Sequence, residues 1–218
     1  MLVNDIYRCN QGEGQTTGTP STLLRLQGCP LKCDFCDSMY AVEGKGKEMS
    51  VEEVIKEVGN PNWLIISGGE PMVQLDSLDE LIMTIPNYMN IEIQTSGHYP
   101  PPGWYHSVNW TVDYKCPSSG VKSINIDKWF DKLSDWDSIK FVVSNDEDLQ
   151  FVLDNRPHTA ATLLVSPVMW DVKEIDGEIR VGKEQLEWIR KVAMFSQEQD
   201  IRLSIQTHRF IYGERNDV

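Results

Sequence analysis

The sequence predicts an α/β fold, a partial (β/α) barrel of parallel strands forming one domain over residues 1–218, and three observations carry that expectation. Strand-like apolar runs alternate with helix-like segments, the pattern of βαβ units with right-handed crossovers. Polar clusters follow the apolar runs, so they would gather at the C-terminal edge of the sheet, where such barrels carry their active sites. No repeat, low-complexity tract or Pro/Gly/Ser linker divides the chain.

Taken in order, Thr22-Leu23-Leu24-Arg25-Leu26 reads as the first strand. Ser50-Val51-Glu52-Glu53 opens a helix with a capping box, in which Ser50 caps and Glu53 reaches back. Trp63 to Ile66 is a short buried strand, and Asp76 to Ile85 reads as a second capped helix. Strands follow at Ile91-Glu92-Ile93, Trp110-Thr111-Val112 and Ile139 to Val143, then a helix from about Asp146 to Leu153 and a strand at Thr162 to Val165. Lys183 to Gln199 is the longest helix, with Leu186, Ile189, Val192 and Ala193 on one face, and Ile201 to Ile205 closes the series. Between the last two elements of sheet, Val172 to Val181 reads as a hairpin turning at Asp176-Gly177, an insertion over 171–182. Residues 209–218 form a C-terminal tail with no assigned element.

Charge narrows the partners. Acidic residues outnumber basic ones 33 to 20, a formal charge of -13 that repels nucleic acid and anionic membrane. The longest apolar run, near Trp63-Leu64-Ile65-Ile66, falls far short of the roughly 20 residues a membrane span needs. The start, Met1-Leu2-Val3-Asn4-Asp5, lacks the basic and apolar regions of a signal peptide, so the expected location is the cytosol.

The polar clusters are Ser67-Gly68-Gly69-Glu70, Gln94-Thr95-Ser96-Gly97, the segment Asp113 to Gly120, Ser166-Pro167 and Gln206-Thr207-His208. Loops are polar in any protein, so the cysteines decide what these clusters mean. Cys29-Pro30-Leu31-Lys32-Cys33-Asp34-Phe35-Cys36 places three soft ligands at x3 and x2 spacing just after the first strand. Three thiolates suit an iron-sulfur cluster or zinc. A structural zinc site needs a fourth ligand, and no second CxxC or HxxxH pair is present. A cubane held by three cysteines leaves one iron open to a reactant. Ordinary buried thiols are the third possibility. Cys9 and Cys116 have no assigned task, and His98, His106 and His158 read as structural.

The CxxxCxxC loop resembles the signature of the radical S-adenosylmethionine (SAM) superfamily, and Gly68-Gly69-Glu70-Pro71 resembles its GGEP motif. Further segments resemble those of the 7-carboxy-7-deazaguanine synthases: Gln11-Gly12-Glu13-Gly14, Arg25 four residues before the first cysteine, Asp37-Ser38 after the third, Lys115-Cys116-Pro117-Ser118-Ser119-Gly120, and Gln206-Thr207-His208. The resemblance runs from Gln11 to His208. Two positions depart from the usual pattern: Ser38 stands for a threonine, and Gln94-Thr95-Ser96-Gly97 for Glu-Thr-Asn-Gly.

This resemblance implies a radical SAM barrel whose cofactors are a 4Fe-4S cluster on Cys29, Cys33 and Cys36, SAM and Mg2+. Gly69, Glu70, Lys115, Ser118 and Ser166 would meet SAM, Ser38 would bind Mg2+, and Gln11, Gly12, Glu13, Arg25, Ser67 and His208 would meet a pterin. The implied reaction is the ring contraction of 6-carboxytetrahydropterin with loss of ammonia, through a 5'-deoxyadenosyl radical; such chemistry belongs to the cofactor, not to a side chain. The resemblance also implies a flavodoxin- or ferredoxin-type reductant and a homodimer, for which the apolar stretch Lys128-Trp129-Phe130 to Trp136 offers a surface. Two other classes stay open at this point: another small radical SAM enzyme such as a glycyl-radical activase, and a zinc-stabilised or electron-carrying module. Neither would need the QGEG, Asp37-Ser38 and KCPSSG segments together.

Overall fold

A computed structural model describes residues 1–212. The elements are β1 (Leu2–Asn10), β2 (Pro20–Leu26), α1 (Met39–Glu43), β3 (Lys47–Glu48), α2 (Val51–Val58), β4 (Trp63–Gly68), α3 (Leu75–Thr84), β5 (Asn90–Thr95), β6 (Asn109–Asp113), β7 (Ser138–Val143), α4 (Asp146–Asp154), β8 (Thr162–Pro167), β9 (Val172–Ile175), β10 (Glu178–Val181), α5 (Lys183–Gln199), β11 (Arg202–Leu203) and α6 (Thr207–Tyr212). Nine strands form one sheet in the order β11-β8-β7-β6-β5-β4-β2-β1-β3. The seven from β11 to β2 are parallel. β1 adds antiparallel to β2, and β3 to β1, an extension that the sequence reading did not anticipate.

Among the described residues β11 and β3 are the edges, and the sheet does not close by strand pairing. The loop after β1 bridges the gap instead: Gly14 donates its N–H to Ser204 Oγ (3.0 Å), and Thr207 donates its N–H to the Gly12 carbonyl (2.8 Å). Residues next to β2 thereby meet residues just past β11, which is the curl expected of a partial barrel.

The alternation of side chains along each strand divides the sheet into two faces. Leu24, Leu26, Leu64, Ile66, Ile91, Ile93, Trp110, Val112, Ile139, Phe141, Val143 and Val165 belong to one apolar core, shared with Val54, Val58, Leu78, Leu81, Leu149, Val152 and Val192 of the helices. The capping box of α2 forms as expected: Glu53 donates its N–H to Ser50 Oγ (3.2 Å), and Ser50 donates its own to Glu53 Oε2 (2.8 Å).

Four expectations change, and the hairpin forms as read. The helix read from Asp76 starts at Leu75 and has no side-chain cap, because a 3-10 turn over Pro71–Gln74 precedes it and Gln74 spends its amide on the carbonyls of Leu2 and Gln27. On α5, Leu186 is exposed while Gln185 is buried, donating to the Val168 carbonyl and accepting from the N–H groups of Trp170 and Asp171. Packing therefore turns that helix toward the hairpin, and Ile189 and Val192 remain on its buried side. In the Trp-rich stretch, Trp129 is wholly buried against Trp110 and donates its Nε1–H to the Tyr99 carbonyl (2.9 Å), whereas Trp136 is exposed. The hairpin insertion forms as β9 and β10, with Asp176 and Gly177 at φ 54° and 78°, the pair of positive φ values a two-residue turn of this hand requires. Of the tail 209–218, residues 209–212 finish α6; the rest lie outside the described residues.

Candidate active site

A cavity of about 250 Å³ opens at the C-terminal ends of the parallel strands. Its wall takes Arg25 from β2, Ser67 and Gly68 from β4, Gln94 and Thr95 from β5, Asp113 from β6, Lys140 and Val142 from β7 and Ser166 from β8, then Gln206 and His208 beyond β11. All three cysteines of the CxxxCxxC loop line it, as do Gln11, Gly12, Glu13, Ser38, Gly69 and Lys115. The polar strand ends do converge on one mouth.

The glycine pair explains how the cysteine loop is held. Gly68 adopts φ 141° at the end of β4, where a Cβ would overlap the Leu26 backbone of β2. A Cβ on Gly69 would overlap the Gly28 carbonyl and press on Cys29. Gly69 and Glu70 donate their N–H groups to Leu26 and Gly28 (3.1 and 2.9 Å), so this turn is stitched to the start of the cysteine loop. The small residue is thus needed for backbone meeting backbone. Gly120, in the left-handed region at φ 69°, packs on the Asp34 carboxylate, and Asp34 donates its N–H to the Ser119 carbonyl (3.0 Å). The KCPSSG segment therefore braces the same loop from the other side.

All five cysteines are free thiols. Burial pushes the thiols of Cys29, Cys33 and Cys36 up; the foremost counterweight is the Leu31 N–H for Cys29, Lys115 for Cys33 and the Ser38 N–H for Cys36. Among the described residues no group of three or more His, Cys, Asp or Glu is placed to hold a single metal ion. Three half-buried thiols line one cavity with Lys115 beside them, the three-cysteine donor set of an iron-sulfur cluster. The donor set fits the 4Fe-4S group and does not fit a closed zinc site.

Two expected SAM residues do not face the cavity. The Glu70 carboxylate is fully buried and accepts from Met72 N–H (3.0 Å), Thr95 Oγ1 (2.8 Å), Ser96 N–H (2.7 Å) and the Ser96 hydroxyl. It caps the turn after β4 and locks β5 to it, which leaves Gly69 as the member of the pair on the cavity wall. Ser118 gives its N–H and hydroxyl to Asp148 of α4. Lys115, Ser166 and Gly69 are on the wall as expected.

The residues expected to meet a pterin are brought together. Gln11 turns its carbonyl oxygen onto the Gly12 N–H (2.8 Å) and its amide toward Glu92 (3.3 Å). A Cβ on Gly12 would overlap the His208 ring, so this glycine is what allows His208 to lie against the loop. Burial lowers the His208 pKa below its ordinary value, against the pull of Glu13 and Asp37. Arg25 donates to Tyr7 Oη (2.9 Å) and lies over the Tyr40 ring, yet its buried Nε has no partner, as expected of a guanidinium built to meet an anion. Ser38 donates to Asp37 Oδ1 (2.9 Å), whose Oδ2 accepts from Gln206 Nε2 (2.9 Å). The aspartate after the third cysteine thereby ties the cysteine loop to the chain beyond β11.

Four residues of this site had no assigned role in the sequence reading, although Asp113 heads one of its polar clusters. Glu92 on β5 accepts from Gln11 Nε2, Thr111 Oγ1 (3.1 Å) and Thr16 Oγ1 (2.5 Å), anchoring the loop after β1 from below; burial raises its pKa. Asp113 and Lys140 join Glu13 and Lys115 in a buried ion chain. Cys9 lines the cavity as well. The signal for the first three was in the strands themselves, where Ile91-Glu92-Ile93, Trp110-Thr111-Val112-Asp113 and Ile139-Lys140-Phe141 alternate apolar with polar.

Comparison with known proteins agrees with this geometry. The Radical SAM superfamily model matches residues 23–106, a span holding the three cysteines and the glycine pair. A 7-carboxy-7-deazaguanine synthase of Methanospirillum hungatei is 34% identical, over 97% of this chain and 85% of its own, and one from Koribacter versatilis is 32% identical over 97% of each. A third, from Leptospira interrogans, is 32% identical over 99% of this chain and 97% of its own. Among solved structures, QueE from Escherichia coli shares the fold with a TM-score of 0.67, at 22% identity and over 95% and 94% of the two chains. The similarity thus runs along almost the full length of these relatives, and the chain belongs to the 7-carboxy-7-deazaguanine synthase family of the radical SAM superfamily.

Proposed function

We infer that this enzyme converts 6-carboxy-5,6,7,8-tetrahydropterin to 7-carboxy-7-deazaguanine with loss of ammonia. The observation that carries the reading is one cavity shared by the three thiols and by Gln11, Gly12, Glu13, Arg25 and His208. When bound, the 4Fe-4S cluster and SAM supply a hydrogen-atom abstraction that no side chain could perform.

The chain's own residues bind and orient. Cys29, Cys33 and Cys36 hold the cluster, and Gly69, Lys115 and Ser166 receive SAM, with Glu70 shaping the turn that presents Gly69. Glu13 and Gln11 read the aminopyrimidinone edge of the pterin, and Ser67 borders it. Arg25, with its unpartnered Nε, takes the substrate carboxylate, and His208, held neutral by burial near pH 7, accepts or donates one hydrogen bond without adding charge. Ser38 offers its hydroxyl to Mg2+, with Asp37 beside it to balance the ion's charge. Mg2+ in that place would orient the carboxylate as a template. Cavity walls of Val142, Val168 and Met169 limit water around the reacting centre. A reductant of the flavodoxin or ferredoxin type supplies the electron, the enzyme works in the cytosol, and a homodimer is its assembly.

Anaerobic reconstitution with iron and sulfide, followed by SAM, reductant, Mg2+ and 6-carboxytetrahydropterin, tests this directly. Mass spectrometry should find 7-carboxy-7-deazaguanine, in amounts that fall when Mg2+ is withheld. Formation of 5'-deoxyadenosine without a deazaguanine would retain the superfamily chemistry and overturn the substrate.

A further inference from the structure

Two lysines and two carboxylates run in a chain along one wall of the cavity. Lys140 Nζ, on β7, lies 3.1 Å from Glu13 Oε2 and 3.2 Å from Asp113 Oδ1, while Lys115 Nζ lies 2.8 Å from Asp113 Oδ2. The Lys140 side chain is 7% exposed, so its charge must be matched within the protein. Asp113 already balances Lys115, and the counter-charge that remains for Lys140 is Glu13. Glu13 itself stands on the loop after β1, outside any strand ladder, and its contact with Lys140 runs through Oε2.

We propose that Lys140 is the positioning residue for pterin recognition: it holds the Glu13 carboxylate turned to the cavity, with Oε1 presented to the 2-amino and ring N–H donors of the substrate. Asp113 fixes Lys140 in turn by sharing its carboxylate between Lys140 and Lys115. The inference rests on Glu13 meeting the aminopyrimidinone edge, as set out above. A carboxylate oxygen held in this way accepts from the substrate N–H groups and leaves an analogue with oxygen at that position facing an unmatched acceptor, which is the asymmetry that gives strong discrimination.

Anaerobic calorimetry on the SAM-loaded holoenzyme tests it, with 6-carboxytetrahydropterin and its 2-oxo counterpart as the two ligands. Lys140→Met should weaken the pterin by about 10- to 100-fold, the range in which supporting partners tune the groups they orient, and should leave the 2-oxo ligand nearly unchanged, so their Kd ratio collapses. Lys140→Arg should restore most of that ratio. The double variant Glu13→Gln/Lys140→Met should be no weaker than Glu13→Gln alone, because the lysine acts through the glutamate. If Lys140→Met does not retain its cluster absorbance, Lys140→Gln carries the same comparison. Equal weakening of both ligands, or additive losses in the double variant, would show a merely structural lysine and overturn the proposal. A Glu13→Gln variant that binds pterin as well as wild type would overturn the pterin reading of Glu13 itself and this inference with it; weak binding by Glu13→Gln beside normal binding by Lys140→Met would overturn the inference alone.

Discussion

The two faces of the same strands are built on opposite principles. Toward the helices, β5, β6 and β7 present Ile91 and Ile93, Trp110 and Val112, and Ile139, Phe141 and Val143, all buried in one apolar core. Toward the barrel interior the intervening residues are Glu92 and Gln94, Thr111 and Asp113, Ser138 and Lys140. The outer face stabilises by area removed from water. The inner face gains little that way, since each charge there must be desolvated and then matched. Its matches are specific: Glu92 with the hydroxyls of Thr16 and Thr111, Lys140 with Glu13 and Asp113, and Glu70 with Thr95 and Ser96. Neighbouring residues on one strand are therefore predicted to fail differently, one by unfolding and the next by losing a ligand.

The largest effect lies on the cavity side. Cys33→Ala removes one of three cluster ligands and should abolish product and 5'-deoxyadenosine formation together, while the circular dichroism of the apoprotein stays native. A variant that keeps both brown colour and SAM cleavage would break the assignment of the loop. On the core side, Phe141→Ala empties a fully buried site on β7 between Tyr114 and the helices. It should cost about 3–5 kcal/mol, a fall in Tm of about 10 °C for a chain of this size. The molecules that remain folded should bind pterin as wild type does. A drop in affinity comparable to that of Lys140→Met, one residue away, would erase the distinction between the faces.

That distinction also explains what was legible in the sequence. Helices and the parallel strands are written in apolar periodicity, which is why the capping box at Ser50, the hairpin at Asp176-Gly177 and the strands of β4 to β8 fall where expected. The cysteine loop and glycine pair are contiguous in sequence and were readable as motifs. β1 was not, because its residues are half-buried and its pairing with β2 depends on distant register rather than on pattern. Nor were Glu92, Asp113 and Lys140, whose partners come from other strands and from the loop after β1, so each looks locally like a polar residue on a strand. The motif residues Glu70 and Ser118 err the other way: their spacing is right, but the fold commits their side chains to Ser96 and Asp148. Resemblance locates a segment, and only packing decides which of its atoms face the ligand.

A smaller effect probes how the loop after β1 meets the chain beyond β11. Gly12→Ala places a methyl group where the His208 ring lies, with no demand on φ at Gly12 itself. The ring is the part that can move, so the fold should survive at a cost of about 1 kcal/mol, a fall in Tm of about 2–4 °C. Pterin affinity should fall about tenfold, since a displaced contact group loses its alignment with the ligand. Gly12→Ala with unchanged affinity would remove His208 from the substrate wall.

The smallest effect is a matter of pH. Burial depresses the His208 pKa below 6.5, so the folded protein binds fewer protons than the unfolded chain in the interval just under 6.5. Stability tied to this group is therefore complete above pH 6.5 and is lost as pH falls from 6.5 through the folded pKa. Glu13 and Asp37 favour the imidazolium and limit the loss, while Arg25 and Arg209 oppose it. His208→Asn removes the titration, so a plot of Tm against pH between 7.5 and about 5.5 should be flatter than that of wild type. The same slope in both proteins would mean that His208 is solvated in the folded state, which would open the cavity wall at the point where the barrel is bridged by Gly12 and Thr207.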